Sequence, residues 1–290
     1  MHPPPYVVVL SELDPVARKV SEALGAGDSL AIELEGTPLR GRPGGPITVR
    51  RPGHHIHDEH LDRGLPKEWR RAGTVLVFPS VHRSERGYDA MTVHPLGNPG
   101  STAEVGGRPE VFVPAAPRLM ADALRRLADG TGAVGWPATF EATHHGPELE
   151  SPAFFIEVGG SDPDHPPEKA TRLIAAVVRE LSEDPADQVV LGVGGGHYAP
   201  HFTDLTLRRS IAFGHMLARH ALDEMSLAAA RAAWEATPGA VGVVYARVAD
   251  AERPVAKGWG PRFRESEAPR RGGSTIPRTL PSGGARSAGT

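Results

Sequence analysis

Short apolar, β-branched runs alternate with longer segments of helical spacing over the first 245 residues. Tyr6-Val7-Val8-Val9-Leu10 reads as a strand. The spacing of Val16, Val20, Ala23 and Leu24 predicts a helix over 14–24, with Ser11 as its turn or cap. Residues 30–34 and 74–78 read as further strands, each bounded by Gly, Pro or polar residues. Over 117–129, Leu119, Met120, Ala123, Leu124 and Leu127 share one face, which predicts an amphipathic helix opened by proline and ended at Gly130. Strands follow at 138–143 and 154–158, and a helix at 168–181 with Leu173, Ile174, Val177, Val178 and Leu181 in register. Residues 188–193 are nearly all apolar, as in a strand covered on both faces. The pattern over 205–217 fits helix and strand equally. Composition predicts a helix over 226–235, stopped by Pro238-Gly239, and a closing strand over 241–244. This order predicts the α/β class, with a mixed, largely parallel sheet flanked by helices on both sides. Ligands in such sheets bind at the carboxyl ends of strands.

Residues 1–250 are expected to form a single α/β domain. A Pro/Gly/His-rich insertion at about 36–60 reads as a solvated loop, and its four histidines, His54, His55, His57 and His60, as either a zinc clamp or plain loop composition. From about Pro254 the apolar content collapses, so 251–290 is expected to be a disordered Arg/Gly/Pro-rich tail.

Charge and composition narrow the chemistry. The net charge of −3 hides an asymmetry: residues 252–290 carry eight Lys/Arg and three Glu, a local +5. The whole chain therefore lacks the basic signature of a sequence-independent nucleic-acid binder, and the tail has at most weak affinity for RNA. No stretch approaches the roughly 18 apolar residues of a membrane span, and no secretory leader is visible, so a cytoplasmic location is expected. With no cysteine, disulfides, thiolate nucleophiles and thiolate metal ligands are excluded, and any metal falls to His, Asp or Glu. Fourteen histidines, grouped along the chain, are the first functional signal.

Two constellations carry that signal. His144-His145-Gly146-Pro147 follows a strand that ends in Glu141-Ala142-Thr143, so two rings leave the sheet together beside a carboxylate. Gly194-Gly195-Gly196 follows another apolar strand and leaves backbone N–H groups open to an anion or carbonyl oxygen, with His197 and Tyr198 delivered beside them. The loop suits phosphate binding or an oxyanion hole. It lacks the Gly-Lys-Ser/Thr of a nucleotide loop, and no Gly-x-Ser-x-Gly elbow is present. His82, His94, Glu157, Asp204 and His215 lie on or near apolar runs, and together these residues hold enough nitrogen and carboxylate oxygen for one or two zinc ions.

Taken in order, Phe140 to Pro147, Gly194 to Pro200 with Phe202-Thr203-Asp204, and Phe213-Gly214-His215-Met216 resemble the archaeal and plant type of D-aminoacyl-tRNA deacylase. Ser80-Val81-His82-Arg83-Ser84-Glu85 and Met91-Thr92-Val93-His94-Pro95 with Gly97-Asn98 are similar to it as well. The resemblance runs from about residue 6 to 245. It implies a phosphorylase/hydrolase-like fold, two zinc ions, and hydrolysis of the ester between a D-amino acid and the 3′-terminal ribose of tRNA. His201 stands where the family often has a basic residue after the Ala-Pro of the glycine loop. The implied partner is the tRNA 3′ end, with no DNA and no membrane, and the chain is expected to be a monomer.

Site roles are assigned on chemical grounds. His144, His145, Glu157 and His197 are the expected zinc ligands. Gly195 and Gly196 amides stabilise the oxyanion, Tyr198 or His215 protonates the leaving oxygen, and Glu141 belongs to the catalytic set. His82, His94, Thr143, Gly194, Asp204, Arg208 and Arg209 are expected to meet substrate or tRNA. Two other functions compete: a phosphorylase or metal amidohydrolase acting on a small molecule, and a non-catalytic RNA-binding protein.

Overall fold

The structure is a computed structural model that describes residues 2–83 and 88–271. Ser84-Glu85 of the His82 motif and residues 272–290 of the expected tail lie outside the described residues.

The first strand, β1 (Tyr6–Ser11), runs into α1 (Pro15–Leu24), whose N-cap Asp14 accepts hydrogen bonds from the Val16 and Ala17 amides. Next come β2 (Asp28–Leu34), β3 (Thr37–Gly41), β4 (Ile47–Arg51), α2 (Lys67–Arg71), β5 (Val75–Val81) and β6 (Met91–Pro95). The chain continues through α3 (Pro117–Val134), β7 (Ala138–Phe140), β8 (Ala153–Val158), α4 (Glu168–Arg179), β9 (Gln188–Val193) and α5 (Pro200–Arg208). It closes with β10 (Ile211–Leu217), α6 (Leu227–Glu235) and β11 (Gly242–Tyr245).

The strands form two sheets. Eight lie in the order β2-β3-β4-β1-β5-β8-β6-β7, and three, all parallel, in the order β10-β9-β11. In the larger sheet the β1–β4, β1–β5, β5–β8 and β6–β7 pairs are parallel, while β8–β6 and the β2–β3–β4 pairs are antiparallel. Alternation along β1 sorts its side chains: Val8 and Leu10 pack beneath α1, α3 and α4, whereas Val7 and Val9 join Leu34, Leu39, Val49 and Trp69 on the other face. A third apolar cluster under α6 covers the outer face of the smaller sheet.

Three expectations are corrected. The insertion at 36–60 is not a plain loop: β3 and β4 lie within it, anchored by the fully buried Leu39 and Val49, and β4 pairs with β1. His55 of its histidine cluster is buried against Phe78 and Phe155, while His54 and His57 are exposed, so the four do not converge as a clamp. The α3 helix does not stop at Gly130. It runs to Val134 and ends at Gly135 in the left-handed conformation, and a Cβ on Gly130 would fall 2.4 Å from Leu173, so this glycine lets α3 and α4 approach. Residues 254–271 are not a free tail: Val255, Trp259, Phe263 and Ala268 are buried, and Val243 and Phe263 exchange backbone hydrogen bonds with neighbours across this segment. The ambiguous stretch 205–217 resolves into the end of α5 and all of β10.

A short extended segment, 140–146, is threaded between the two sheets. On one edge the Glu141 amide donates to the Val93 carbonyl and the Gly97 amide to the His145 carbonyl. On the other, the Ala142 amide donates to His197, the Thr143 amide to Met216, and the Ala199 amide to Phe140. The segment thus places its own side chains between β6 and the loop after β9.

Candidate active site

Each functional side chain sits at the exit of an apolar strand. His82 follows β5, His94 lies near the end of β6, Glu157 near the end of β8, Glu141, His144 and His145 on the threaded segment, and His197 on the glycine loop after β9. The loop needs its glycines: Gly194 and Gly195 have φ of 96° and 83°, and a Cβ on Gly194 would fall 2.3 Å from an Asp250 carboxylate oxygen. Asp250 is itself paired with Arg219, whose amide donates to the Gly195 carbonyl.

Glu141 is the centre of the group. It is fully buried, one carboxylate oxygen lies 3.5 Å from His197 Nε2 and 3.7 Å from His144 Nε2, and the other 3.4 Å from His82 Nδ1. Neither oxygen has a hydrogen-bond partner among the described residues. A buried ionised carboxylate in that state is costly unless a cation completes it. The rings of His144 and His197 are 4.7 Å apart, and those of His94 and His144 4.1 Å.

The tautomers are set by the main chain. Nδ1 of His144 lies 2.8 Å from the Ala142 carbonyl, Nδ1 of His145 2.7 Å from Gly146, and Nδ1 of His94 3.1 Å from Pro95. A carbonyl only accepts, so each Nδ1 carries the hydrogen, which in a neutral ring leaves Nε2 its lone pair, the arrangement that orients metal-binding histidines. His94 Nε2 has no hydrogen-bond partner among the described residues. Burial, reinforced by the neighbouring rings, holds His144 well below the usual histidine range and His145 down at about 4, so both are neutral near pH 7. At His82 burial pulls the other way from its neighbours, but the hydrogen bond to Glu157 at 3.2 Å and the charges of Glu141 and Glu157 outweigh it, raising the ring to about 9. Glu157 is correspondingly held well below the carboxylate range: burial opposes this, and the hydrogen bond with His82, with the His94 ring close by, prevails. Tyr198 places its hydroxyl 3.3 Å from His82 Nε2, and its ring meets Tyr88 edge-on.

Among the described residues, three overlapping sets have ligand atoms within 4.8 Å of one another: His82, Glu141, His144 and His197; His94, His144 and His145; and His94, Glu141 and Glu157. The expected tetrad of His144, His145, His197 and Glu157 is not one of these sets, because Glu157 faces His82 and His94. His82 and His94, expected to touch substrate, instead line the cluster. Each directly follows a valine at or near the end of a strand (Val81-His82, Val93-His94), and that was the readable sign.

The remaining expected residues are engaged elsewhere or only in part near the cluster. Gly194 spends its amide on the Leu217 carbonyl, so of the three glycines only Gly195 and Gly196 can offer theirs to an oxyanion. Thr143 is buried and its Oγ1 receives the Met216 amide. Asp204 pairs with Arg208 on the exposed face of α5, and Arg209 donates to the Ala268 carbonyl.

His215 is fully buried at a bulge of β10, with Nε2 3.0 Å from the Val113 carbonyl and Nδ1 3.0 Å from Thr143 Oγ1. It faces away from the cluster and buttresses Thr143. Burial lowers this ring to about 4 from its ordinary 6.5, only partly offset by the bond to Val113. Between those values the unfolded chain binds the extra proton, so His215 stabilises the fold fully above about pH 6.5 and loses that contribution as pH falls towards 4. The loss is about 3 kcal/mol. Urea unfolding at pH 7 and pH 4.5 is expected to show a smaller drop in His215→Gln than in the parent protein; equal drops would contradict the assignment.

The fold matches the crystal structure of a conserved protein of unknown function with a TM-score of 0.76 at 24 % identity, covering 87 % of this chain and 90 % of that one. This likeness shows the α/β fold alone. A sequence model described as D-aminoacyl-tRNA deacylase matches residues 70–256, a span that contains every residue of the cluster. The chain is 39 % identical over 170 residues to D-aminoacyl-tRNA deacylase of Pyrococcus abyssi, covering 57 % of this chain and 62 % of that protein. It is 33 % identical over 196 residues to the Thermoplasma acidophilum protein of the same name, covering 66 % and 74 %. The chain belongs to the D-aminoacyl-tRNA deacylase family, and its match spans about three fifths of the length of the Pyrococcus relative. No helix among the described residues is long and apolar enough to cross a membrane.

Proposed function

We propose that this protein hydrolyses the ester joining a D-amino acid, such as D-tyrosine, to the 3′-terminal ribose of tRNA, using zinc. Charged tRNA in the cytoplasm is its substrate, and it acts as a monomer. The observation that carries this reading is Glu141, buried with both oxygens unpartnered, facing His144 and His197 in a chain of this family. Imidazole nitrogen and carboxylate oxygen are the ordinary ligands of zinc, and three protein ligands leave an open position of the catalytic type. The set therefore fits the ion, with Glu141, His144 and His197 holding it; His94 and Glu157, grouped with Glu141, would serve a second. Bound there, zinc supplies an acidified water and polarises the ester carbonyl.

The chain's own residues do the rest. His82, kept charged by Glu157 and Glu141, holds a proton at Nε2 beside the Tyr198 hydroxyl, so Tyr198 can protonate the departing ribose oxygen and be reprotonated from His82. The amides of Gly195 and Gly196 stabilise the charge developing on the carbonyl oxygen. Enantiomers carry the same groups, so rejection of L-aminoacyl-tRNA rests on the shape of the pocket.

The test compares deacylation of D- and L-tyrosyl-tRNA with and without a chelator in phosphate-free buffer. Turnover of the D-ester alone, lost on chelation and restored by zinc, is expected. Equal rates on both enantiomers would overturn the specificity, and indifference to the chelator would overturn the zinc chemistry.

A further inference from the structure

A cavity of about 520 Å³ opens beside the glycine loop, lined by Val244, Tyr245, Arg262, Phe263, Arg264, Glu265 and Ser266. Its size falls within the range of about 300–1,000 Å³ that holds small ligands. The lining comes partly from the carboxyl end of β11 and partly from residues 262–266, which lie beyond the stretch matched by the family model. The segment is built into the fold: the Val243 amide donates to Pro261, the Phe263 amide to Val243, and the Ser210 amide to Pro269, while Phe263 and Ala268 are buried.

Two contacts tie this cavity to the active site. The Ala246 amide, next to Tyr245, donates to Val193, and the Ala246 methyl packs against Gly194 and Gly195. Across the loop, Glu265 Oε1 lies 3.1 Å from Nε2 of His201, four residues after His197. That pairing leaves the cavity's carboxylate engaged. Arg262 and Arg264 are exposed, and among the described residues neither guanidinium makes an ion pair or hydrogen bond. A half-buried tyrosine ring with two uncommitted guanidinium groups is the chemistry that holds single-stranded nucleic acid, the ring stacking a base and the arginines meeting phosphates.

We infer that this cavity binds the single-stranded 3′ terminus of tRNA, Tyr245 stacking one of its bases and Arg262 and Arg264 meeting its phosphates, which presents the terminal ribose to His197. The inference rests on the deacylase reading for the identity of the RNA, but its test needs no turnover. Fluorescence anisotropy is measured with intact uncharged tRNA and with the same tRNA lacking its single-stranded 3′ nucleotides, for the parent protein and for a variant carrying Arg262→Ala and Arg264→Ala. The parent is expected to bind intact tRNA about tenfold more tightly than trimmed tRNA, and the variant to bind both equally, at the parent's level for trimmed tRNA. The slope of log affinity against log salt is expected to fall by about 1.4 for the two lost phosphate contacts. Both side chains are exposed, so an unchanged thermal melt accompanies these losses; Tyr245→Phe, which keeps the stacking face, is expected to bind as the parent does. No binding of intact tRNA by the parent, or equal sensitivity of parent and variant to trimming, overturns the inference. A discriminating parent that shows no deacylation would leave it standing and sink the catalytic proposal alone.

Discussion

Glu141→Gln is expected to lower D-tyrosyl-tRNA deacylation by about a thousandfold, or ~4 kcal/mol of transition-state stabilisation, while leaving the protein folded. Glutamine keeps the shape of the side chain but loses the charge that faces His82, His144 and His197. The same change has the opposite sign for the stability of chelator-treated protein, because a buried carboxylate with no hydrogen-bond partner costs free energy that the neutral amide does not. Parallel assays of turnover, bound zinc and thermal melting separate the two effects. Activity within tenfold of the parent would remove Glu141 from the chemistry, and a marked fall in the melting temperature without metal would mean that the carboxylate serves the fold.

Asp187→Ala is expected to cost about 3–5 kcal/mol of stability, lowering Tm by roughly 10 °C. Asp187 is fully buried and forms a two-pronged pair with Arg125 at 2.6 and 3.0 Å. Arg125 also donates to the Thr206, Arg209 and Ile211 carbonyls, and Arg271 reaches Asp187 at 3.1 Å. Removing the acid strands a nearly buried guanidinium at the junction of α3, α5, β10 and the closing segment. A loss under 1 kcal/mol in urea unfolding would show that the surrounding carbonyls satisfy Arg125 without it.

Much of this architecture is readable from side-chain periodicity. The helices α1, α4 and α6 and the strands β1, β8 and β9 have strong apolar patterns, and each lies within a few residues of the expected span. What escaped has identifiable physical causes. In β3 and β4 a single buried residue each, Leu39 and Val49, carries the burial among arginines and a proline, so averaged composition looks like a loop. Likewise Val255, Trp259, Phe263 and Ala268 are diluted among charged residues, and only the groove they fill reveals them. Arg262 and Arg264 were hidden with them.

The active-site histidines were visible as motifs, but their grouping was not. Strand register decides it: β8 pairs Glu157 with Ser80 on β5 and with Thr92 on β6, which sets its carboxylate between His82 and His94. Nothing local to Glu157 encodes that pairing. The role expected of His215 failed for a related reason, since only the tertiary structure brings the Val113 carbonyl to its ring.

Because residues 140–146 are stitched to β6 along one border and to the 197–199 and 216 carbonyls and amides along the other, the cluster has no hinge of its own. Opening it demands that the two halves of the molecule come apart. Amide protons of Ala142 and Thr143 should then exchange with solvent only through whole-molecule unfolding, as slowly as the most protected positions of β1, and any ligand that enters must fit a receptacle that does not flex to admit it.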